Sequence, residues 1–315
     1  MMFILSPIFY VSIAILIIAG CSFGPSVNYS DIQVISKLEL IKFIGPDIGS
    51  ERPLSSPRDI AINQKGELFI ADYGNDRIVK LDSNFIFVTE SGGFGDIGNS
   101  LNGPLSLALD NASNLYIVDS GNSRIVRLDS RLNFVASQYS FLKETKYLFD
   151  RPLCVAISSR GDIYIGDDGR GSCYKLDPFF NYIFDFATRN SPAGVGRPTA
   201  IGVGSGNQIY VADSENGVVS VFDDFGILIR KITDGNLIHP NALRIDIKGR
   251  LWVADSAARK LVCFNSSGKL LYIWPENETA LIVSPAGFCF TPDGLIYLLD
   301  SAANRLLILK PIYGN

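Results

Sequence analysis

Pro104-Leu-Ser-Leu-Ala-Leu-Asp110, Leu115-Tyr-Ile-Val-Asp119 and Arg124-Ile-Val-Arg-Leu-Asp129 are three short apolar runs in close succession, joined by Asn111-Ala-Ser-Asn114 and Ser120-Gly-Asn-Ser123. Each run is too short for a helix and is rich in Ile, Leu, Val and Tyr, so each reads as a strand between polar turns. Fifteen residues separate Pro104, at the start of the first run, from Asp119, at the end of the second. The same pair recurs as Pro57/Asp72, Pro152/Asp167, Pro198/Asp213, Pro240/Asp255 and Pro285/Asp300, with successive prolines 42 to 48 residues apart. A weaker fourth run follows, as in Phe85-Ile-Phe-Val-Thr89 or Leu228-Ile-Arg-Lys-Ile232. Four antiparallel strands in a repeat of ~45 residues make the blade of a β-propeller.

Nine residues after each proline stand Gly66, Ser113, Gly161, Asn207, Gly249 and Gly294. Glycine, and asparagine after it, suits the positive φ of a tight hairpin turn. Six blades must close into a ring or leave open strand edges. Leu38-Glu-Leu-Ile-Lys-Phe43 precedes the first proline as an orphan strand, and the sixth repeat stops after its third strand, Arg305-Leu-Leu-Ile-Leu-Lys310. The expected fold is therefore all-β: a six-bladed β-propeller of four-stranded blades over residues 37–315, closed by the N-terminal strand in the last blade. One monomeric domain buries its apolar surface between successive blades.

Asp72-Tyr-Gly-Asn-Asp-Arg77, Asp119-Ser-Gly-Asn-Ser-Arg124 and Asp300-Ser-Ala-Ala-Asn-Arg305, with the glycine-rich Ser91-Gly-Gly-Phe-Gly-Asp-Ile-Gly98, resemble the signature of NHL repeats. The third, fourth and fifth copies replace the final arginine with Ser172, Val218 and Lys260. The resemblance spans residues 37 to 310 and implies a six-bladed propeller. It implies no single activity, since the family includes protein binders, RNA binders and a few lyases. Recurrence of the Asp and Arg in successive blades favours blade building over one site: the carboxylate accepts backbone N–H groups and the arginine satisfies local carbonyls.

Residues 3–20 are almost wholly apolar and end in Ile18-Ala-Gly-Cys21. This resembles a bacterial lipobox, which implies a signal peptide over residues 1–20, lipidation of Cys21, and a tether over 21–36. No Lys or Arg precedes Lys37, so the usual basic n-region is missing. The alternative is an uncleaved membrane anchor, for which eighteen residues containing Pro7 is short. Either way the protein is expected outside the cytoplasm, at the cell envelope. Cys154, Cys173, Cys263 and Cys289 remain. Cys154 and Cys173 fall on the first and third strands of a blade, roughly 9–10 Å apart and too far for a disulfide. Buried free thiols are expected. No Cys/His cluster marks a metal site, and no cofactor is expected.

The 28 basic and 32 acidic residues give a net charge of −4, and no long basic run is present. Affinity for nucleic acid rests on phosphate neutralisation, so that partner is not expected. The loops before each first strand and those between the second and third strands share one face, because alternate turns of a meander lie on one side. Just before the prolines on that face stand Ser56, Gly103, Arg151, Arg197, His239 and Ser284. Arg151, Arg197 and His239 fall on consecutive blades and suit an anionic group; the alternative is that they are solvated loop residues. Four residues after each proline the side chains are small except for Arg244, and two residues after the first proline stands Asp59. These two could meet across the channel, either as a structural ion pair or with Arg244 anchoring a pocket that Asn241 also reaches. A single histidine, His239, and the lack of an inner-strand glutamate disfavour lyase and lactonase chemistry, and no catalytic residue is assigned. The expected function is a lipid-anchored propeller binding an envelope protein or a small anionic ligand on its loop face. A hydrolase or lyase at the channel mouth is the alternative.

Overall fold

The computed structural model describes residues 35–140, 149–276 and 281–314, all within one compact unit, Val34–Asn315. The signal peptide, Cys21 and most of the tether expected from the sequence lie outside the described residues. Six four-stranded antiparallel sheets follow one another, each with its strands in sequence order from the innermost outward except the last. The innermost strands are Pro57–Ile62, Pro104–Leu109, Pro152–Ile157, Pro198–Val203, Pro240–Ile245 and Pro285–Phe290.

The fifteen-residue spacing is a strand register. In all six blades the proline lies directly opposite its aspartate, from Pro57 opposite Asp72 to Pro285 opposite Asp300. Proline has no N–H to offer a ladder, and a strand's first residue tolerates it. A register shift follows the proline in every blade. Such bulges re-aim side chains. The hairpin turns carry the expected positive φ, from 56° at Asn207 to 88° at Gly161 and Gly294. A side chain also holds three of these turns. Asn63, Asp110 and Asp246, at the end of the innermost strand, accept the N–H groups two and four residues on, at 2.8–3.0 Å. Asp82 does the same in the next turn, for Asn84 and Ile86. That places Phe85 in the turn with φ of 66° and starts the outer strand at Phe87, two residues later than the apolar run suggests.

The ring closes as expected. Ile35–Ile44 is the outer strand of the sixth blade, antiparallel to Arg305–Tyr313, in register from Ile35 opposite Tyr313 to Ile44 opposite Leu306. A second contact joins the sixth blade to the first: the Ser56 N–H donates to Asn304 Oδ1 at 2.6 Å. Asp76 makes the equivalent bond to the Gly103 N–H between blades one and two, at 2.7 Å. The core lies between blades. Phe69 and Ile78 of the first blade, for example, pack against Leu107, Leu115 and Val126 of the second.

Candidate functional site

The repeated aspartates fix the loops on which the candidate residues sit. Each is buried, and its carboxylate accepts N–H groups from the segment before the proline. Asp167 takes those of Asp150 and Arg151, both at 2.9 Å. Asp213 takes those of Gly196 and Arg197 at 2.8 and 3.1 Å, and Asp255 those of Ile238 and His239 at 2.7 and 2.8 Å. Arg77 and Arg124 donate Nε to Asp72 and Asp119 at 2.7 Å and their terminal nitrogens to carbonyls of the preceding loop. Burial raises the Asp119 carboxyl above its usual range, against the lowering effect of the Asn102 N–H, Asn122 and Arg124. The blade-building reading of the motif Asp and Arg is what the contacts show.

Inside the ring, the channel has a waist at the residues two after each proline. Asp59 closes it. Oδ1 accepts the Ile60 N–H at 2.9 Å and Arg244 Nη2 at 2.7 Å, and Oδ2 accepts the Leu107 N–H at 2.9 Å and Ser106 Oγ at 3.3 Å. Space for it exists because the facing position is Gly287: a Cβ there would stand 2.2 Å from Asp59 Oδ1 and 2.4 Å from Asp59 Cα. Asp59 is 5% exposed, so the charge is paired where it is desolvated. The Asp59–Arg244 approach expected from the sequence is present as an ion pair.

On the proline–aspartate side of the waist lies a mouth cavity of about 220 Å³. The bulged residue after each proline lines it: Arg58, Leu105, Leu153, Thr199, Asn241 and Ala286. Arg197, His239, Ser256 and Ser284 complete the rim. Three guanidinium groups converge on one buried carboxylate at this edge. Arg151 and Arg189 reach Asp168 at 2.5 and 2.6 Å, and Arg197 Nε lies 3.6 Å away. Arg58 stacks on Tyr73 with its guanidinium carbon 4.9 Å from the ring centroid, and has no ion pair among the described residues. His239 Nδ1 lies 3.4 Å from Ser256 Oγ. Asn241 donates Nδ2 to the Pro285 carbonyl at 2.9 Å, while its Oδ1 is buried without a partner among the described residues.

The expected residues therefore divide. Arg197, His239 and Asn241 line the mouth, and Arg151 joins it only through Asp168. Arg244 does not anchor that pocket. It pairs with Asp59 at the waist and lines the cavity that Ala61, Ala156 and Cys289 enclose. Positions two and four after a proline lie roughly 6–7 Å apart along the strand, and so at different levels of the channel. Sequence reasoning missed Arg58, Arg189 and Asp168. Arg58 was findable, since the residue after the proline is the bulged one in every blade; Arg189 and Asp168 carry no periodic signal.

With that geometry in place, the NHL repeat family model matches residues 54–81 and 196–222, within the first and fourth repeats. The chain carries NHL repeats. The fourth matches although Val218 replaces its motif arginine. Among curated proteins, the E3 ubiquitin-protein ligase NHLRC1 of Rattus norvegicus is 27% identical over 125 residues, covering 38% of this chain. This chain spans 29% of that relative's length. Among solved structures, virginiamycin B lyase from Staphylococcus aureus superposes with a TM-score of 0.62 at 14% identity, over 88% of this chain and all of the other. The gluconolactonase XC5397 from Xanthomonas campestris gives 0.61 at 16% identity, over 81% and 86%. At that identity the likeness is one of fold alone.

Two further features of the NHL propeller bear on its chemistry. Among the described residues no cluster of three or more His, Cys, Asp or Glu side chains is placed to hold a metal ion. Cys154, Cys173, Cys263 and Cys289 are buried free thiols, and burial pushes Cys154 and Cys289 up to about 12. No helix among the described residues is long and apolar enough to cross a membrane.

Proposed function

We propose that this NHL propeller is a binding protein that takes an anionic group, on a protein partner or a small ligand, at the mouth formed by the proline–aspartate loops. The observation that carries the reading is the charge imbalance there: Arg151, Arg189 and Arg197 share the carboxylate of Asp168, and Arg58, stacked on Tyr73, has no ion pair among the described residues. A protein of net charge −4 thus presents surplus positive charge at a concave, partly desolvated place, where arginine forks grip carboxylates and phosphates in two-point contacts. Asn241 adds a buried acceptor that can orient a donor on the same ligand.

The reading includes an envelope location, with Cys21 lipidated and residues 21–36 as tether; its support is the apolar run over 3–20 ending in Ile18-Ala-Gly-Cys21. A hydrolase or lyase would need more than the mouth contains. His239 and Ser256 approach each other, but no carboxylate contacts the imidazole among the described residues, so neither ring tautomer is fixed for base catalysis.

The test is a titration of the full chain with a fluorescent Asp/Glu-rich hexapeptide, followed by anisotropy, with a Lys-rich hexapeptide as control. Binding of the acidic peptide alone, lost in the Arg58→Ala/Arg197→Ala variant with unchanged melting, supports the reading. Equal binding of both peptides, or of neither, overturns the acidic-group assignment.

A further inference from the structure

We infer that the face opposite this mouth, made by the turns between first and second and between third and fourth strands, rests on a lipid surface, so that the basic mouth points away from it. The inference rests on the anchored reading above and adds an orientation to it. Its first support is where the chain enters the ring. Ile35 pairs with Tyr313, at the end of the sixth blade's third strand, whereas that strand begins beside Asp300 on the proline–aspartate face. The polypeptide arriving from Cys21 therefore joins the propeller on the turn face. Only the thirteen residues 22–34 intervene, a span of about 45 Å even if fully extended.

The second support is what the turn face displays. Ile86, Phe179, Phe225, Ile227 and Ile247 project from its turns on the first, third, fourth and fifth blades, with exposures of 62, 84, 79, 64 and 103%. These residues stand at turn tips, where nothing in the propeller's own packing requires an apolar side chain. Apolar tips spread around a flat ring fit a planar apolar boundary better than a compact partner. Beside the point of entry, Lys248 Nζ lies 4.3 Å from the centre of the Tyr313 ring, a ring with a cation above it of the kind that suits the polar–apolar boundary of a membrane. The turn carboxylates Asp82, Asp129, Asp177 and Asp223 accept their own turns' N–H groups. The contact runs through the apolar tips, and salt should not release it. On the other face, the most exposed apolar side chains, Phe94 and Ile97, belong to a single loop, Ile238 stands exposed on the fifth blade, and the mouth mixes Arg58 and Arg197 with Leu105 and Leu153.

The experiment uses the full lipidated chain on vesicles of phosphatidylethanolamine and phosphatidylglycerol. A nitroxide is attached to Phe225→Cys or Phe179→Cys on the turn face, and to Ile97→Cys on the mouth face. The four buried native thiols do not compete for the label in the folded protein. Accessibility to oxygen and to an aqueous nickel chelate is read with and without vesicles. The expected result is a several-fold rise in the oxygen-to-nickel ratio at Phe225→Cys and Phe179→Cys, unchanged by high salt, with no change at Ile97→Cys. A vesicle-bound protein whose turn-face labels stay in water overturns the orientation while leaving the anchor standing. The reverse pattern, with Ile97→Cys in lipid, overturns it as well. A protein that does not sediment with vesicles removes the anchor and the lipid face together.

Discussion

Asp59 and Arg244, 185 residues apart in sequence, form an ion pair of 2.7 Å across the waist of the channel. It ties the first blade to the fifth across the axis, past the sixth. Removing one partner leaves a buried charge without compensation. Arg244→Met should therefore destabilise the ring by about 3 kcal/mol, the lower end for a buried pair because Arg244 is itself a quarter exposed. Asp59→Asn combined with Arg244→Met should recover part of that loss. Urea denaturation of the two singles and the double, read as a cycle, checks this. Additive losses would mean that the pair contributes no coupling.

Ring closure should be equally measurable. Leu38, 3% exposed on the closing strand, packs into the seam of the fifth and sixth blades. Leu38→Ala should cost about 2–4 kcal/mol by cavity formation. Asn304→Ala should cost about 1 kcal/mol by unpairing the Ser56 N–H. Deleting residues 22–44 should uncover the hydrogen-bonding edge of Arg305–Tyr313 and cause aggregation. A truncated chain that melts like the parent contradicts the closure.

The mouth makes a forecast that distinguishes binding from packing. Arg151 and Arg197 have side chains 58% and 47% exposed, so Arg151→Ala with Arg197→Ala should change stability by no more than about 0.5 kcal/mol. Each lost contact to a bound anion should weaken binding by roughly 1.5–3 kcal/mol. Melting and acidic-peptide affinity, measured on the same preparation, separate the two. Unchanged affinity removes these residues from the site.

Asp224 gives a pH test. It receives Lys175 Nζ and Arg160 Nη2 at 2.6 Å, joining the fourth blade to the third. Burial raises its carboxyl, but the two cations outweigh burial and hold it below the usual carboxylate range. A depressed folded value means stability that is fully present above the unfolded carboxylate range and is lost as pH falls through the folded value. Asp224→Asn should thus melt lower than the parent near neutrality, by an amount worth roughly 1 kcal/mol after solvent screening. The difference should shrink on acidification. A constant difference across that window would show that the charge is not what matters.

The thiols should be silent in the folded state. Cys154 and Cys289 ionise only near 12, and burial raises Cys173 and Cys263 as well. An aromatic disulfide reagent at mildly alkaline pH should therefore find none of the four until denaturant is added. The sequence contains five cysteines, so four thiols after denaturation means that Cys21 is blocked and five means that it is free.

Strand number, blade number and closure were legible because a strand pairing repeated six times leaves a periodic trace. The proline–aspartate spacing is that trace: both residues face each other across the first hairpin in every blade. The turn caps leave a weaker trace, because their position holds Asn63, Asp110, Ser158, Gly204, Asp246 and Thr291 in the six blades. The mouth was only half legible. His239 and Arg197 could be placed by register, but Asp168, which gathers three arginines, stands out by nothing in its own sequence neighbourhood.

Local patterning, then, determined the blade, its register and the ring, because those depend on hydrogen bonds and apolar faces that recur with chain position. The tertiary structure alone decided which irregular residues share a level of the channel. A bulge after each proline puts Arg58 and Asn241 at the mouth. Gly287 leaves room for Asp59, and that carboxylate draws Arg244 to the waist and away from the mouth it was expected to serve. Contacts across the axis join blades far apart in sequence, and their distances follow from the packing of the whole ring, which no single repeat encodes.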